Sequence, residues 1–227
     1  MEALRILSTL AVRGAFAELA ERFQAARGVR VEADFAPTLA LLDRLRGGEA
    51  ADVVILTREG LSEMLAERRV SAASYVDLAK SWVGIAVKAG RAHPDISSEA
   101  ALRTALTQAR AVAYSRLGAS GILFAELIAR LGIAHIVNAH AVIVPSGLTA
   151  ERLLTDEADL AVQQISELKQ VAGIEIVGPI PPELQVPAVF SAGCMMATDK
   201  VVPAEQLLKF LCSPEAAAIL REAGLEP

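Results

Sequence analysis

The fold is decided by a stretch near the start of the chain, Leu4–Phe35, which reads LRILSTLAVRGAFAELAERFQAARGVRVEADF. Its first and last segments, LRILSTL and VRVEADF, are typical of β-strands. Between them Phe16, Leu19 and Phe23 recur at helical spacing, and Gly28 follows as a helix-ending residue. The stretch therefore predicts a strand, a helix and a second strand, the unit from which parallel sheets are built.

Strand-like and helical segments alternate in this way almost to the end of the chain. Such alternation is typical of α/β proteins, and the 227 residues hold more strands than one sheet of this size would take. We predict two lobes, each a mostly parallel sheet flanked by helices: residues 1–82 with 188–227, and residues 83–187. The apolar run SWVGIAVKAG (Ser81–Gly90) is predicted as one long strand, and the proline-rich PIPPELQVP as the return segment of a two-part hinge. Because ligands of such folds bind where strands lead into helices, we also predict a ligand cleft between the lobes.

Composition and charge exclude several classes of protein. The formal net charge is −5 and the Lys and Arg residues are scattered, whereas nucleic-acid binding needs concentrated basic residues. No Ser-His-Asp order, phosphate loop or metal-ligand cluster is visible, so neither a metal nor a cofactor is predicted. No stretch is long and apolar enough to span a bilayer, and the first residues lack the pattern of a signal peptide. We therefore expect a cytoplasmic protein as the sequence is written, and a periplasmic one if it is the mature form.

The two cysteines, Cys194 and Cys212, lie far apart, and apolar residues flank both. Their spacing fits no metal site. We expect both to be buried, reduced thiols, with one disulfide between them left open as the alternative.

Five loops that follow strands and precede helices are rich in hydroxyl and amide groups. Beside the free N–H groups of a helix N-terminus, such groups suit an anion. In any single loop they are more often ordinary helix caps, but their recurrence in both predicted lobes favours a shared anion site. The residues concerned are Arg13, Gly14, Thr38, Arg116, Ser120, Gly121, Ser146, Gly147, Thr149, Gln163, Gln164, Ser166 and Glu167.

Two of these loops carry an arginine, Arg13 and Arg116. A cation in the first turn of a helix opposes the helix dipole, so it is unfavourable unless it meets an acidic partner or an anionic ligand. Each arginine alone could be a solvated surface residue. In similar loops, the two together indicate bidentate clamps for carboxylates.

The order of these segments resembles the type II periplasmic solute-binding proteins, in particular their molybdate-binding branch. The likeness rests on LRILSTLAVRGAFAELAERFQAARGVRV, RLRGGEAADVVIL, LLTDEADLAV and FLCSPEAAAIL, and it covers nearly the whole chain. It implies two α/β lobes that close on a small ligand with donors from both. It also implies an ABC transporter permease as the partner if the chain is exported, while the oligomeric state stays open.

The chain departs from that branch at the ligand positions. Molybdate binders of this type use uncharged donors, and the resemblance places Ala11, followed by Val12, where a serine is typical, Thr38 at a second serine position and Gln164 at a tyrosine position. Losing a serine and a tyrosine while gaining two arginines favours an organic di- or tricarboxylate over molybdate. The predicted ligand-binding residues are Ala11, Val12, Arg13, Thr38, Arg116, Ser120, Gly121, Gly147, Gln163 and Gln164.

The segments QQISEL and SAGC look more like a divergent branch of the family, one similar to aconitate isomerases. That resemblance implies cofactor-free isomerisation of an unsaturated tricarboxylate by removal and return of an allylic proton. Glu167 is the first candidate for the catalytic base, with Ser120 and Tyr114 as weaker proton-relay candidates. The alternative for Glu167 is a glutamate favoured by the helix dipole. The sequence therefore leaves two functions open, a carboxylate-binding protein and, as the alternative, an isomerase.

Overall fold

The computed structural model describes residues 3–227, and these residues form two compact units. The first unit comprises the described residues up to Ser81 together with Val189–Pro227, and the second comprises Trp82–Ala188. Each unit contains one five-stranded sheet with helices packed against it. This confirms the predicted α/β class with two separate sheets.

The strands and helices follow one another along the chain much as the alternating pattern predicts. The strands are β1 (Leu4–Ser8), β2 (Val31–Phe35), β3 (Val53–Thr57), β4 (Val76–Ser81), β5 (Val83–Lys88), β6 (Val112–Tyr114), β7 (Ala141–Ile143), β8 (Leu160–Gln164), β9 (Ile174–Pro179) and β10 (Ala188–Cys194). The helices are α1 (Arg13–Arg27), α2 (Thr38–Arg46), α3 (Arg58–Ala66), α4 (Glu99–Gln108), α5 (Ala119–Arg130), α6 (Ala134–Ala139), α7 (Glu151–Leu154), α8 (Ile165–Leu168), α9 (Val201–Leu211) and α10 (Pro214–Glu222). Short 3-10 turns cover Leu10–Val12, Ala72–Ser74 and Pro182–Leu184.

Both sheets are mixed, with a parallel half and an antiparallel half. The strand order is β2-β1-β3-β10-β4 in the first unit and β7-β6-β8-β5-β9 in the second. In the first, β1 is parallel to β2 and β3, whereas β10 runs antiparallel to β3. In the second, β6 is parallel to β7 and β8, whereas β5 runs antiparallel to β8 and β9. The parallel half of each sheet is the half that the strand–helix–strand pattern predicts.

Apolar side chains on the sheets and helices account for the packing in each unit. The first strand buries Leu4, Ile6 and Leu7 completely, and α1 buries Phe23. The helix then ends at Gly28, which adopts φ 67°, a left-handed conformation that favours glycine. In the second unit, side chains of β5, β6 and β8 share one core with side chains of α4, α5 and α6.

The strand predicted over Ser81–Gly90 is confirmed but is shorter, because β5 covers Val83–Lys88. The chain passes from the first unit to the second between Ser81 and Trp82, so β4 belongs to one sheet and β5 to the other. A continuous apolar run is consistent with a buried strand, but it does not show that its first residue, Ser81, ends a strand of the other sheet.

The cysteines also differ from expectation at one position. Both are free, which closes the disulfide alternative, and Cys194 is buried on β10 as predicted. Cys212 is exposed. It lies at the C-cap of α9, immediately before Ser213, the N-cap of α10, so it belongs to a turn rather than to the buried face of a helix.

Among the described residues, no helix combines the length and the hydropathy needed to cross a membrane.

Candidate functional site

In the second unit, three neighbouring parallel strands end at one edge of the sheet. These are β7, β6 and β8, in that spatial order. Because parallel strands point the same way, the loops after them converge on this edge. We call it the unit 2 edge; it consists of residues 115–121, 144–149 and 163–167. Ten of the thirteen loop residues predicted to share an anion site, from Arg116 to Glu167, therefore lie on neighbouring strand ends.

The loop after β6 brings the backbone of α5 onto the end of the strand. A Cβ atom at Gly121 would lie 1.5 Å from the carbonyl oxygen of Ser115, so this close approach requires glycine. Gly118 is the N-cap of α5 and supplies no side-chain cap, and the first turn contains no acidic residue. Ser120 is buried, yet its hydroxyl has no hydrogen-bond partner among the described residues. The positive end of α5 is therefore left without a compensating side chain.

Arg116 lies on the same loop and is exposed. Its Nη2 is 3.5 Å from the side-chain oxygen of Asn138, and within the described residues no carboxylate forms an ion pair with it. The hydroxyl of the buried Tyr114 donates to the same Asn138 oxygen. Asn138 is not among the site residues predicted from sequence. The sequence could have indicated that the hydroxyl of a buried tyrosine needs a hydrogen-bond partner. It does not show which residue supplies that partner.

Gln163 connects two loops of the unit 2 edge. Its side-chain oxygen accepts from the backbone N–H of Thr149 at 2.7 Å and from the Thr149 hydroxyl at 3.0 Å. Its side-chain nitrogen donates to the carbonyl of Gly147 at 3.3 Å. These internal bonds engage both polar atoms of a buried carboxamide, so Gln163 holds the 147–149 loop in place.

Gln164 and Glu167 begin the short helix α8 directly after β8. The backbone N–H of Gln164 donates to the Glu167 carboxyl at 3.2 Å, and the Gln164 carboxamide oxygen faces the N–H of Glu167. Both the side-chain nitrogen and the side-chain oxygen of Gln164 are buried without a hydrogen-bond partner in the described part of the chain. Such a donor costs about 1–3 kcal/mol unless something accepts from it.

Burial raises the pKa of Glu167 to about 7, and the hydrogen bonds from the Gln164 backbone and the Gln163 side chain only partly oppose this rise. A carboxyl group with this pKa is half ionised near neutral pH. It can therefore accept a proton and give it back under ordinary conditions, which is what general acid–base chemistry needs.

The first unit has a comparable edge, where β2, β1 and β3 end side by side. Thr9 follows β1, and its hydroxyl is buried without a partner in the described residues. Ala11 and Val12, also predicted to bind ligand, are each only 1% exposed. Arg13 begins α1 and is exposed; neither it nor the Thr38 hydroxyl at the start of α2 has a partner in residues 3–227.

A polar cluster beside this edge is also absent from the residues predicted from sequence. Arg58 directly follows β3 and forms an ion pair with Asp77. Asp77 also accepts from Ser191 at 2.6 Å and from Tyr75 at 2.9 Å. Burial opposes the ionisation of Asp77, but these hydrogen bonds hold its pKa below the ordinary value. The feature of the sequence that could have pointed to this cluster is the position of Arg58 directly after a buried strand.

No group of three or more His, Cys, Asp or Glu in the described residues is arranged to hold a metal ion. His135 and His140 are exposed. The His93 ring nitrogen lies 2.9 Å from a Glu175 carboxylate oxygen, and neither residue is one of the predicted site residues.

Comparisons with known proteins identify the family of this chain. A model of the bacterial extracellular solute-binding proteins matches residues 4–226. An aconitate isomerase from a Pseudomonas species is 34% identical over 230 residues, which cover 99% of this chain and 87% of the isomerase.

Solved structures agree on the fold. A periplasmic molybdate-binding protein from Azotobacter vinelandii superposes with a TM-score of 0.84 at 19% identity, with 99% of each chain covered. The sulfate-binding protein SubI from Mycobacterium tuberculosis gives a TM-score of 0.80 at 16% identity, covering 100% of this chain and 87% of that one. These likenesses confirm the type II binding-protein fold predicted from the order of segments.

Proposed function

The chain belongs to the family of bacterial extracellular solute-binding proteins, and we propose that its ligand is an organic di- or tricarboxylate. The observation that carries this proposal is the state of Arg116. This arginine lies beside the uncapped N-terminus of α5 and has no carboxylate partner in the described residues. A guanidinium group matches a carboxylate in shape as well as charge, because both are planar and can form two parallel hydrogen bonds.

The neighbouring groups on the unit 2 edge suit the same ligand. The buried side-chain nitrogen of Gln164 and the hydroxyl of Ser120 are unused donors among the described residues. The first turn of α5 adds backbone N–H groups and the positive end of a helix dipole. A ligand with several carboxylates could use these donors together, whereas a compact inorganic oxyanion has no need of a charged guanidinium beside them.

Calorimetry against citrate, cis-aconitate, trans-aconitate, molybdate and sulfate tests this proposal. We expect a tricarboxylate to bind most tightly, and Arg116→Ala to weaken it about tenfold or more, because a hydrogen bond to a charged group contributes about 1.5–3 kcal/mol. The matched control is Arg103→Ala, an exposed arginine of the same unit. Preferential binding of molybdate, or equal affinities in the two variants, would contradict the proposal.

The second candidate function is cofactor-free isomerisation of an unsaturated tricarboxylate. Two observations favour it: the 34% identity to an aconitate isomerase over nearly the whole chain, and the pKa of Glu167, which burial raises to about 7. In this reaction Glu167 takes a proton from the carbon between a carboxylate and the double bond. The electron pair of the broken C–H bond forms a new double bond. The electrons of the old double bond then take up the proton at the far carbon of the allylic system.

The unit 2 edge supplies the other requirement of this reaction, which is stabilisation of negative charge. Removing the proton places charge on the adjacent carboxylate, where Arg116 and the N–H groups of α5 would act as fixed donors. No redox group is needed, since the substrate and product have the same composition.

The isomerase function is tested by incubating the protein with trans-aconitate and following cis-aconitate by proton NMR. We expect conversion by the unaltered protein, loss of conversion in Glu167→Gln, and retention in Glu126→Gln, an exposed glutamate of the same unit. The absence of conversion in the unaltered protein at high concentration would remove this function. Conversion by Glu167→Gln would keep the function and remove Glu167 as its base.

An ABC transporter permease is the partner that we propose for the binding function. Uptake of a labelled tricarboxylate by cells that lack this chain tests it. Uptake that falls without the chain and returns with it supports transport, and unchanged uptake contradicts it.

A further inference from the structure

Asn138 joins the two polar groups that end strand β6 and begin the following loop. Its side-chain oxygen accepts from the hydroxyl of Tyr114 and from Nη2 of Arg116, the latter at 3.5 Å. Asn138 lies on helix α6, 22 residues away from Arg116 in the sequence. An oxygen of a carboxamide has two lone pairs, and these two donors use both.

Tyr114 makes this arrangement directional. The ring is 1% exposed and packs edge-on against Phe124, with 5.0 Å between ring centroids. A ring held in this way can direct its hydroxyl along only one line. The buried tyrosine therefore holds the Asn138 oxygen, and that oxygen lies 3.5 Å from one nitrogen of the exposed Arg116 guanidinium.

Arg116 differs from the arginines of this unit that pair with a carboxylate. Arg110 pairs with Asp159 at 2.9 Å, Arg152 with Glu157 at 3.2 Å and Arg91 with Asp156 at 4.0 Å. Arg103 and Arg130, like Arg116, form no ion pair with a carboxylate in the described residues. Arg116 is oriented instead by an amide, which leaves its positive charge uncompensated. The side-chain nitrogen of Asn138 also has no partner among the described residues.

We propose that Asn138 is a positioning and specificity residue, which aims the Arg116 guanidinium at a ligand carboxylate without neutralising it. The inference rests on the proposed function, because it assumes that the ligand is a carboxylate. The amide nitrogen of Asn138, which has no partner among the described residues, supplies a further donor on helix α6.

Three variants separate positioning from a merely structural role. Asn138→Asp keeps the two acceptor bonds but adds a charge that pairs with Arg116, so we expect tricarboxylate affinity to fall about tenfold or more while the melting temperature stays the same or rises. Asn138→Ala releases Arg116 and is expected to weaken binding about threefold to tenfold. The matched control is Gln108→Glu, which converts an exposed amide of the same unit into a carboxylate and should leave the affinity unchanged. Tricarboxylate affinity in Asn138→Asp equal to that of the unaltered protein would overturn the proposal.

A measurement without ligand keeps this inference separate from the proposed function. NMR relaxation of the Arg116 Nε–H group is expected to show a more ordered side chain than that of Arg103, and the order should fall in Asn138→Ala. If the unaltered protein binds no carboxylate, the proposed function fails, but these spectra still report whether Asn138 orients Arg116. Equal order in the unaltered protein and in Asn138→Ala would refute the positioning role.

Discussion

The buried carboxyl group of Glu167 makes the stability of the protein depend on pH in a predictable direction. Burial raises its pKa from 4.5 to about 7. Between these values the folded protein holds a proton at Glu167 that the unfolded chain has released. Stability therefore falls as the pH rises through this window, and it stays low above it.

The size of this effect follows from the shift. A difference of one pKa unit corresponds to about 1.4 kcal/mol, so the rise of Glu167 from 4.5 to about 7 amounts to about 3 kcal/mol. Glu167→Gln has no titrating group at this position. Relative to the unaltered protein, the variant should therefore gain about 3 kcal/mol in free energy of unfolding between pH 4 and pH 8. A constant cost from the new amide donor does not affect this difference, because it is the same at every pH.

Urea unfolding measures this directly, since Trp82 is the single tryptophan of the chain and belongs to the same unit as Glu167. Free energies of unfolding from Trp82 fluorescence are compared at pH 4, 5, 6, 7 and 8 for the unaltered protein and for Glu167→Gln. Glu126→Gln, which changes an exposed glutamate, is the matched control and should show no such trend. A difference between Glu167→Gln and the unaltered protein that stays flat across this range would refute the reasoning.

Two further predictions concern close packing and thiol accessibility. Gly121→Ala should lower the free energy of unfolding by about 3 kcal/mol, because its Cβ would lie 1.5 Å from the Ser115 carbonyl oxygen. Gly118→Ala, with nothing within 4 Å, should cost less than about 1 kcal/mol; equal losses of stability in urea unfolding would contradict this. A thiol reagent should label the exposed Cys212 in the native protein, and the buried Cys194 only after unfolding. If Cys194 in the native protein were labelled as fast as Cys212, the prediction would be wrong, and β10 would open readily.

The alternation of strands and helices could be predicted because it depends on neighbours in the sequence. Leu4–Phe35 contains the periodicities and the terminating glycine that define its own elements. The placement of β4 and β10 depends on contacts between distant segments, which the local pattern does not contain. For this reason the apolar run over Ser81–Gly90 predicts β5, but it does not show that Ser81 ends a strand of the other sheet.

The candidate site shows the same limit at the level of single atoms. Gln163 and Gln164 are adjacent and equivalent in the sequence, and both are predicted there to bind ligand. In the structure, Gln163 is engaged by Thr149 and Gly147, whereas Gln164 keeps an unused nitrogen in the described part of the chain. Polar loops can therefore be found from sequence, but internal hydrogen bonds decide which of their atoms are available.

The order of strands in the first unit affects how the chain folds during synthesis. The last strand of this sheet to be made, β10, lies between β3 and β4, so the sheet stays incomplete until Cys194 has left the ribosome. The second unit is one continuous segment, Trp82–Ala188, and all its residues are made earlier. We therefore expect the second unit to fold first during translation, while the amino-terminal strands wait with an unpaired edge on β3 and depend on protection from aggregation until β10 arrives.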